Sequence, residues 1–306
     1  MNEKDGSGEL GEWLTLQRPA LHRYCSRMTG SVTDGEDAVQ ETMLKVVQSF
    51  PGFAALNDPK AWLFRVAHNA SMDVLRARAK TPESMTDDAL DAVADGGAFG
   101  EAKWVAKSAL RYFMWLTPTE RSCVILMDVL GYSLQEITEI SGRSLLSVKA
   151  ALHRGRTRLK EVAEGAMPPP LHTLDAQDLM LLELYTQRFN LRDFDGVRAL
   201  LGEEVRLDLV GQVKWRGKAQ VSTYVHNYSG SYDWAFTPGI IEGLPAAIAH
   251  DAADPTRAPL YFVILKFADG LVQHIQDFRY ARYAMELLEL TAVSTAAATE
   301  TSFTRH

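Results

Sequence analysis

A multidomain chain is predicted, with two all-α domains, a helical bundle and then a helix-turn-helix, followed by an α+β domain. Three observations lead there. Apolar residues recur at three- and four-residue spacing over 13–79 and again over 102–164. Two breaks interrupt that pattern: TPESMTDDALDAVADGGAFGE at 81–101, rich in Pro, Gly and acids, and the triplet Pro168-Pro169-Pro170, which cannot continue a helix. Beyond the second break, alternating and fully apolar runs such as PLYFVILKFADG replace the helical period. The implied boundaries are a bundle at 10–80, a flexible linker at 81–101, a helix-turn-helix domain at 102–164 and a Pro-rich linker at 165–174. An α+β domain at 175–290 and a disordered tail at 291–306 complete the chain.

Length and composition agree with several domains. The chain has 306 residues, more than a typical domain of about 100–200. The hydrophobic fraction of 46% supports real cores, and the net charge of −7 means that contact with a polyanion must come from local patches. Cys25 and Cys123 sit far apart in apolar helical patterns, which suits buried thiols in a reducing compartment better than a disulfide or a metal site. MNEKDGSGEL is no secretory leader, and no apolar run approaches the ~20 residues of a membrane helix. A cytoplasmic protein with no membrane partner is expected, with no metal and no cofactor.

The local patch is GRSLLSVKAALHRGRTRLK. Between Arg143 and Lys160 stand six Lys and Arg and no Asp or Glu. In YSLQEITEISGRSLLSVKAALHRGRTRLK, Ser133 caps a first helix with Glu136 completing a capping box, Gly142 makes the turn, and Ser144 caps a second helix. Ile137 and Ile140 give the first helix an apolar stripe; Leu145, Val148, Leu152 and Leu159 give one to the second. Lys149, Ala150, Ala151, Arg154 and Arg158 are thereby expected on outward faces. A turn glycine, matched apolar spacing and a basic second helix define a helix-turn-helix. A helix that neutralises phosphates has reason to exclude acids.

Residues 116–160, LTPTERSCVILMDVLGYSLQEITEISGRSLLSVKAALHRGRTRLK, resemble region 4 of bacterial extracytoplasmic-function (ECF) sigma factors, a group of the sigma-70 family. The resemblance implies that the second helix binds the −35 promoter element through Ser147, Lys149, Ala150, Ala151, Arg154 and Arg158. TDGEDAVQETMLKVVQSF, at 33–50, resembles region 2.2, the helix that docks on the β′ clamp of core RNA polymerase. That implies polymerase contacts by Asp37, Gln40, Glu41 and Leu44, which fall at helical spacing; region 4 would meet the β flap. DPKAWLFRVAHNASMDVLRARAK, at 58–80, resembles regions 2.3 and 2.4. The implied −10 contacts are Lys60, Arg65, Asn69, Arg76 and Arg78, while Trp62 among Leu63, Val66 and Ala67 reads as core. Arg65 and Asp73 admit an alternative reading as an ion pair along the helix.

Residues 175–290 resemble a SnoaL-like, or NTF2-like, α+β cone: an initial helix with Leu179, Leu182, Tyr185 and Phe189 on one side, a short helix around FDGVRALL, and a curved sheet with a hairpin turn at Ala268-Asp269-Gly270. That fold surrounds a pocket and leaves room for a small-molecule ligand or a protein partner. Asp208, His226, His274 and Asp277 are its titratable candidates. Strand alternation separates His274 from Asp277, so no catalytic set is assigned and the chain is not read as an enzyme. The domain is expected to modulate promoter-dependent initiation. The alternative is a conventional helix-turn-helix regulator with a ligand-sensing or catalytic C-terminal domain. It leaves the acidic helix at 33–50 unexplained.

Overall fold

The computed structural model describes residues 3–49, 56–79, 109–165, 174–230, 233–254, 258–288 and 291–292. The linker expected at 81–101, most of the Pro-rich linker and all but the first two residues of the expected tail lie outside that set. Two compact units meet in sequence at Pro169 and Pro170.

The first unit begins with α1 (Glu3–Thr29), α2 (Val32–Gln48) and α3 (Pro59–Ala79). Gly30, at φ 74°, ends α1, and the Ser31 hydroxyl accepts from the Asp34 amide to start α2. The helices then close on each other so tightly that a Cβ on Gly35 would sit 2.5 Å from the Ser26 Cα. The Asp58 carboxylate caps α3 through the Ala61 amide at 2.9 Å. Next come α4 (Leu110–Phe113), α5 (Pro118–Val124), a π-helical turn (Ile125–Val129), α6 (Leu134–Ser141) and α7 (Leu145–Glu164). The Ser133–Glu136 capping box, the left-handed Gly142 at φ 66° and the Ser144 cap match the sequence expectation; Thr117 and Glu120 form a second capping box at α5.

These helices share one core, where the sequence suggested two domains. Leu21, Tyr24, Leu63 and Phe64 from α1 and α3 bury against Phe113, Val124, Ile125 and Tyr132. Phe64 lies edge-on between Tyr24 (5.6 Å) and Tyr132 (5.3 Å). Two short helical segments have too little interior to be well buried alone, so fusing their apolar faces removes more surface from water. The Arg121 guanidinium, nearly excluded from solvent, joins the halves through the carbonyls of Phe113, Leu116 and, across in α1, Met28. Cys25 and Cys123 are both buried free thiols, pushed up to about 12 by desolvation.

The second unit starts with α8 (Ala176–Asn190) and α9 (Phe194–Ala199). A sheet of β1 (Leu201–Leu209), β2 (Val213–Arg216), β3 (Trp234–Ile241), β4 (Leu244–Asp251), β5 (Tyr261–Ala268), β6 (Leu271–Asp277) and β7 (Thr291–Ala292) follows, with α10 (Lys218–Tyr228) between β2 and β3. The strand order is β2-β1-β6-β5-β4-β3-β7, parallel only between β1 and β6. Asp269 and Gly270, at φ 54° and 73°, make the β5–β6 turn that their residue types favour. Thr291 and Ala292 pair with Ile240 and Gly239, so the sheet extends two residues into the segment expected to be a disordered tail. The Asn190 side chain both donates to and accepts from the Phe236 backbone at 2.8 Å, fastening the end of α8 to β3.

Inside this unit Asp277 is fully buried. Its Oδ2 accepts from the Tyr224 and Tyr228 hydroxyls, each at 2.8 Å, and its Oδ1 from the Arg279 amide at 2.7 Å. Desolvation outweighs these hydrogen bonds and raises its pKa above the ordinary 3.8. A raised carboxyl pKa contributes stability that is complete at acid pH and is lost as pH rises through the folded-state value. Hydrogen exchange of the β5 and β6 amides in the full chain should therefore show protection falling from about pH 4 upward. Asp277→Asn should remove that decline. Equal pH dependence in the two proteins would show that Asp277 is not its source.

Candidate nucleic-acid interface

Which side of α7 faces solvent is set by two buried acids. The inward stripe is Val148, Ala151, Leu152, Gly155 and Leu159. Glu120, with 4% of its side chain exposed, accepts from Arg154 Nε at 3.1 Å and from Arg158 Nη1 at 2.9 Å. The same carboxylate accepts from the Thr117 amide at the start of α5. Asp128, 2% exposed, takes a bidentate pair from Arg156, at 2.9 and 2.5 Å. Three of the six basic residues that make this segment conspicuous thus answer internal carboxylates 28 to 38 positions earlier in the chain.

Two sequence expectations change as a result. Ala151 is fully buried, not outward, because it stands three residues after Val148 and eight before Leu159 on the packed side. Leu145, assigned to the apolar stripe, is 46% exposed, and Leu146 beside it is 61% exposed. Ser147 is half-buried, with its amide donating to the Ser144 hydroxyl. Lys149 is exposed, Ala150 half-buried, and Arg154 and Arg158 lie at the margin with their guanidinium groups on Glu120. The outward stripe runs through Leu146, Ala150, His153 and Thr157, flanked by Lys149 and Lys160. Leu146, His153 and Thr157 were missed by charge alone. They become visible once the phase is anchored on Val148, Leu152 and Leu159.

The residues expected to meet polymerase gather on one side of α2. Asp37, Glu41 and Leu44 are exposed, and Gln40 is half-buried with its amide donating to Glu36 at 3.3 Å. Lys45 pairs with Glu41 at 3.2 Å. Val47, one turn beyond Leu44 and equally exposed, enlarges the apolar part of this face. Glu36 itself is buried and paired with Arg18, so it belongs to the bundle and not to the face.

Along α3 the expected −10 residues divide. Asn69 is exposed. Arg76 is exposed and pairs with Asp73 at 2.9 Å, so Asp73 partners Arg76 and not Arg65. Arg78 donates to the Thr29 carbonyl at 3.0 Å and pairs with Asp34, bracing the α1–α2 turn. Lys60 and Arg65 turn toward the helix-turn-helix. The Lys60 ammonium lies 4.8 Å from the Tyr132 ring centroid, and Arg65 donates to the Glu139 and Ile140 carbonyls at the end of α6. Tyr24 bridges the same seam, 2.8 Å from Ser122 and 3.0 Å from His68 Nδ1; burial, with Arg143 and Arg76 nearby, lowers the His68 pKa. Trp62 is partly buried against the core, as expected.

Among the titratable candidates of the second unit, Asp208 and His274 stand near each other on β1 and β6, and His226 and Asp277 do not join them. Asp208 pairs across strands with Lys214 at 3.2 Å, and His226 is exposed on α10. His274 is paired in register with Arg206 and Lys266, and burial and Lys266 lower its pKa. Asp277 lies apart with the tyrosines. Among the described residues no group of His, Cys, Asp and Glu could hold a metal, and no helix is long and apolar enough to cross a membrane.

Residues 15–81 match Sigma-70 region 2, and residues 111–159 match Sigma-70, region 4. The ECF RNA polymerase sigma factor SigG of Mycobacterium tuberculosis is 27% identical, over 89% of this chain and 81% of its own length. SigM of the same organism is 30% identical over 45% of this chain and 69% of its own length. The chain belongs to the ECF RNA polymerase sigma factors, proteins that bind core RNA polymerase and promoter DNA. The solved structure of M. tuberculosis SigJ covers 88% of this chain and 95% of its own, at 22% identity and a TM-score of 0.36. The second unit is α+β, with its helices and one seven-stranded mixed sheet sharing a core.

Glu120 holds α7 by hydrogen bonds and α5 by its cap. Glu120→Ala should cost about 2 kcal/mol: roughly 1 for the cap, and about 1 for the arginine contacts after allowing for their partial exposure. Urea unfolding followed by helical circular dichroism measures it, and a loss under about 0.5 kcal/mol would contradict this role.

Proposed function

We propose that this sigma factor docks on the β′ clamp through the α2 face of Asp37, Gln40, Glu41, Leu44 and Val47, and reads a −35 element with the outward stripe of α7. Region 4 meets the β flap, and α3, with Asn69 and Arg76 outermost, takes the −10 element. The observation that carries this reading is the pairing of an exposed acidic and apolar face on α2 with a helix-turn-helix whose second helix, from Arg143 to Lys160, presents bases and no carboxylate.

The free chain is closed with respect to that task. Lys60 and Arg65 are held by Tyr132 and the end of α6. Elements about 25 base pairs apart are separated by roughly 85 Å of duplex at 3.4 Å per base pair. A compact unit of this length has a radius of gyration near ~15 Å. Binding both elements therefore requires the α1–α3 part to separate from the α4–α7 part on polymerase, and breaking the shared core is the cost that polymerase contacts must offset. The NTF2-like unit modulates initiation, and the chain works in the cytoplasm, where its polymerase is.

Asp37→Arg with Glu41→Arg should weaken binding of the full chain to bacterial core polymerase at least tenfold while leaving its helical content unchanged. Full-strength binding by the double variant would move the docking face away from α2. Removing residues 171–306 should alter promoter-dependent transcription; identical output and promoter choice would dismiss a modulating role for the second unit.

A further inference from the structure

The outward side of α7 combines features that belong to different kinds of contact. It is basic at Lys149 and Lys160 and continued by exposed Arg143, yet its first turn presents two leucines, 46% and 61% exposed, to solvent. Leu146, Ala150, His153 and Thr157 stand at intervals of four, three and four residues, within roughly 60° of one another around the axis. The positions where a recognition helix meets base edges are its N-terminal ones. Here they carry hydrocarbon. Base edges in the major groove offer one apolar group, the 5-methyl of thymine, and alanine or larger apolar side chains meet it by contact alone.

Other occupants fit less well. A protein groove that covers Leu145 and Leu146 would also have to accommodate Lys149 and Arg143 on the same end of the helix. No carboxylate stands between Arg143 and Lys160 to offset them. A polyanion does so without further provision. The polar hydrogen-bonding side chains that read adenine or guanine are absent at positions 145, 146 and 150.

We infer that Leu146, with Ala150 one turn later, reads thymine methyl groups, so that the −35 element of this factor contains thymines at one or two neighbouring steps. The Leu146 and Ala150 backbones are about 6 Å apart along the helix, close to two base-pair rises. Lys149, on the adjoining side, holds the phosphates that set the register. This inference rests on the proposed promoter reading of α7 and adds the base chemistry to it.

The test uses the full chain assembled with core RNA polymerase. A pool of randomised duplexes is selected for binding, and each thymine in the −35 half of the recovered sequence is replaced in turn by deoxyuridine, which differs only by lacking the 5-methyl. The expected result is a loss of roughly three- to fivefold at one or two neighbouring positions, the scale of one buried methyl. Leu146→Ser should lower affinity for the thymine duplex by a similar factor and show no further loss with deoxyuridine, the non-additivity of a direct contact. Leu146 is largely exposed, so the variant folds; Leu145→Ser, outside the stripe, should keep the deoxyuridine penalty. A selected duplex whose thymines can all be replaced without loss overturns the inference and leaves the promoter reading standing. So does a penalty that persists unchanged in Leu146→Ser, or a Leu146→Ser variant that loses core polymerase instead of base preference. Failure of the wild-type assembly to select any duplex overturns the promoter reading and this inference together.

Discussion

A single carboxylate, that of Glu120, fixes which side of α7, the helix proposed to read DNA, is turned outward. It closes the N-terminus of α5 through the Thr117 amide and receives Arg154 and Arg158 from α7. A buried acid that lacked those arginines would be strongly disfavoured, so α7 has little freedom to rotate about its axis. Asp128 and Arg156 repeat the arrangement on the other flank. Once the three arginines are drawn to the margins, the central outward strip is left to Leu146, Ala150, His153 and Thr157. The outward surface of α7 is therefore a consequence of internal charge pairing.

The same economy of polar groups joins the two sigma regions in the free chain. Arg121 spans from the α4–α5 connection to Met28 of α1, Tyr24 reaches both Ser122 and His68, and Arg65 ends on backbone carbonyls of α6. These are local, directional contacts around an apolar seam of Phe64, Tyr132 and Phe113.

Local chemistry made much of this legible in the sequence. Ser133, Glu136, Gly142 and Ser144 announce the turn of the helix-turn-helix because caps and left-handed glycines act within three or four residues, and Asp269-Gly270 announces its hairpin for the same reason. Partners far apart in sequence were not legible. Nothing in the spacing links Arg158 to Glu120, Arg65 to α6, or Asp277 to Tyr224 and Tyr228, 49 to 53 residues earlier. The misplacement of Ala151 and Leu145 has a smaller cause. Each is one step of about 100° from the correct face, and an apolar stripe that includes Leu145 shifts the phase of the whole helix.

The most direct measurement is site-specific photo-cross-linking from position 153, at the middle of the outward strip, in the assembly of full chain, core polymerase and a promoter duplex. The account predicts a cross-link to the −35 half of the duplex that depends on core polymerase being present. Cross-links confined to polymerase subunits or to the chain itself would contradict it, because the strip left exposed by Glu120 and Asp128 would then face protein and not DNA.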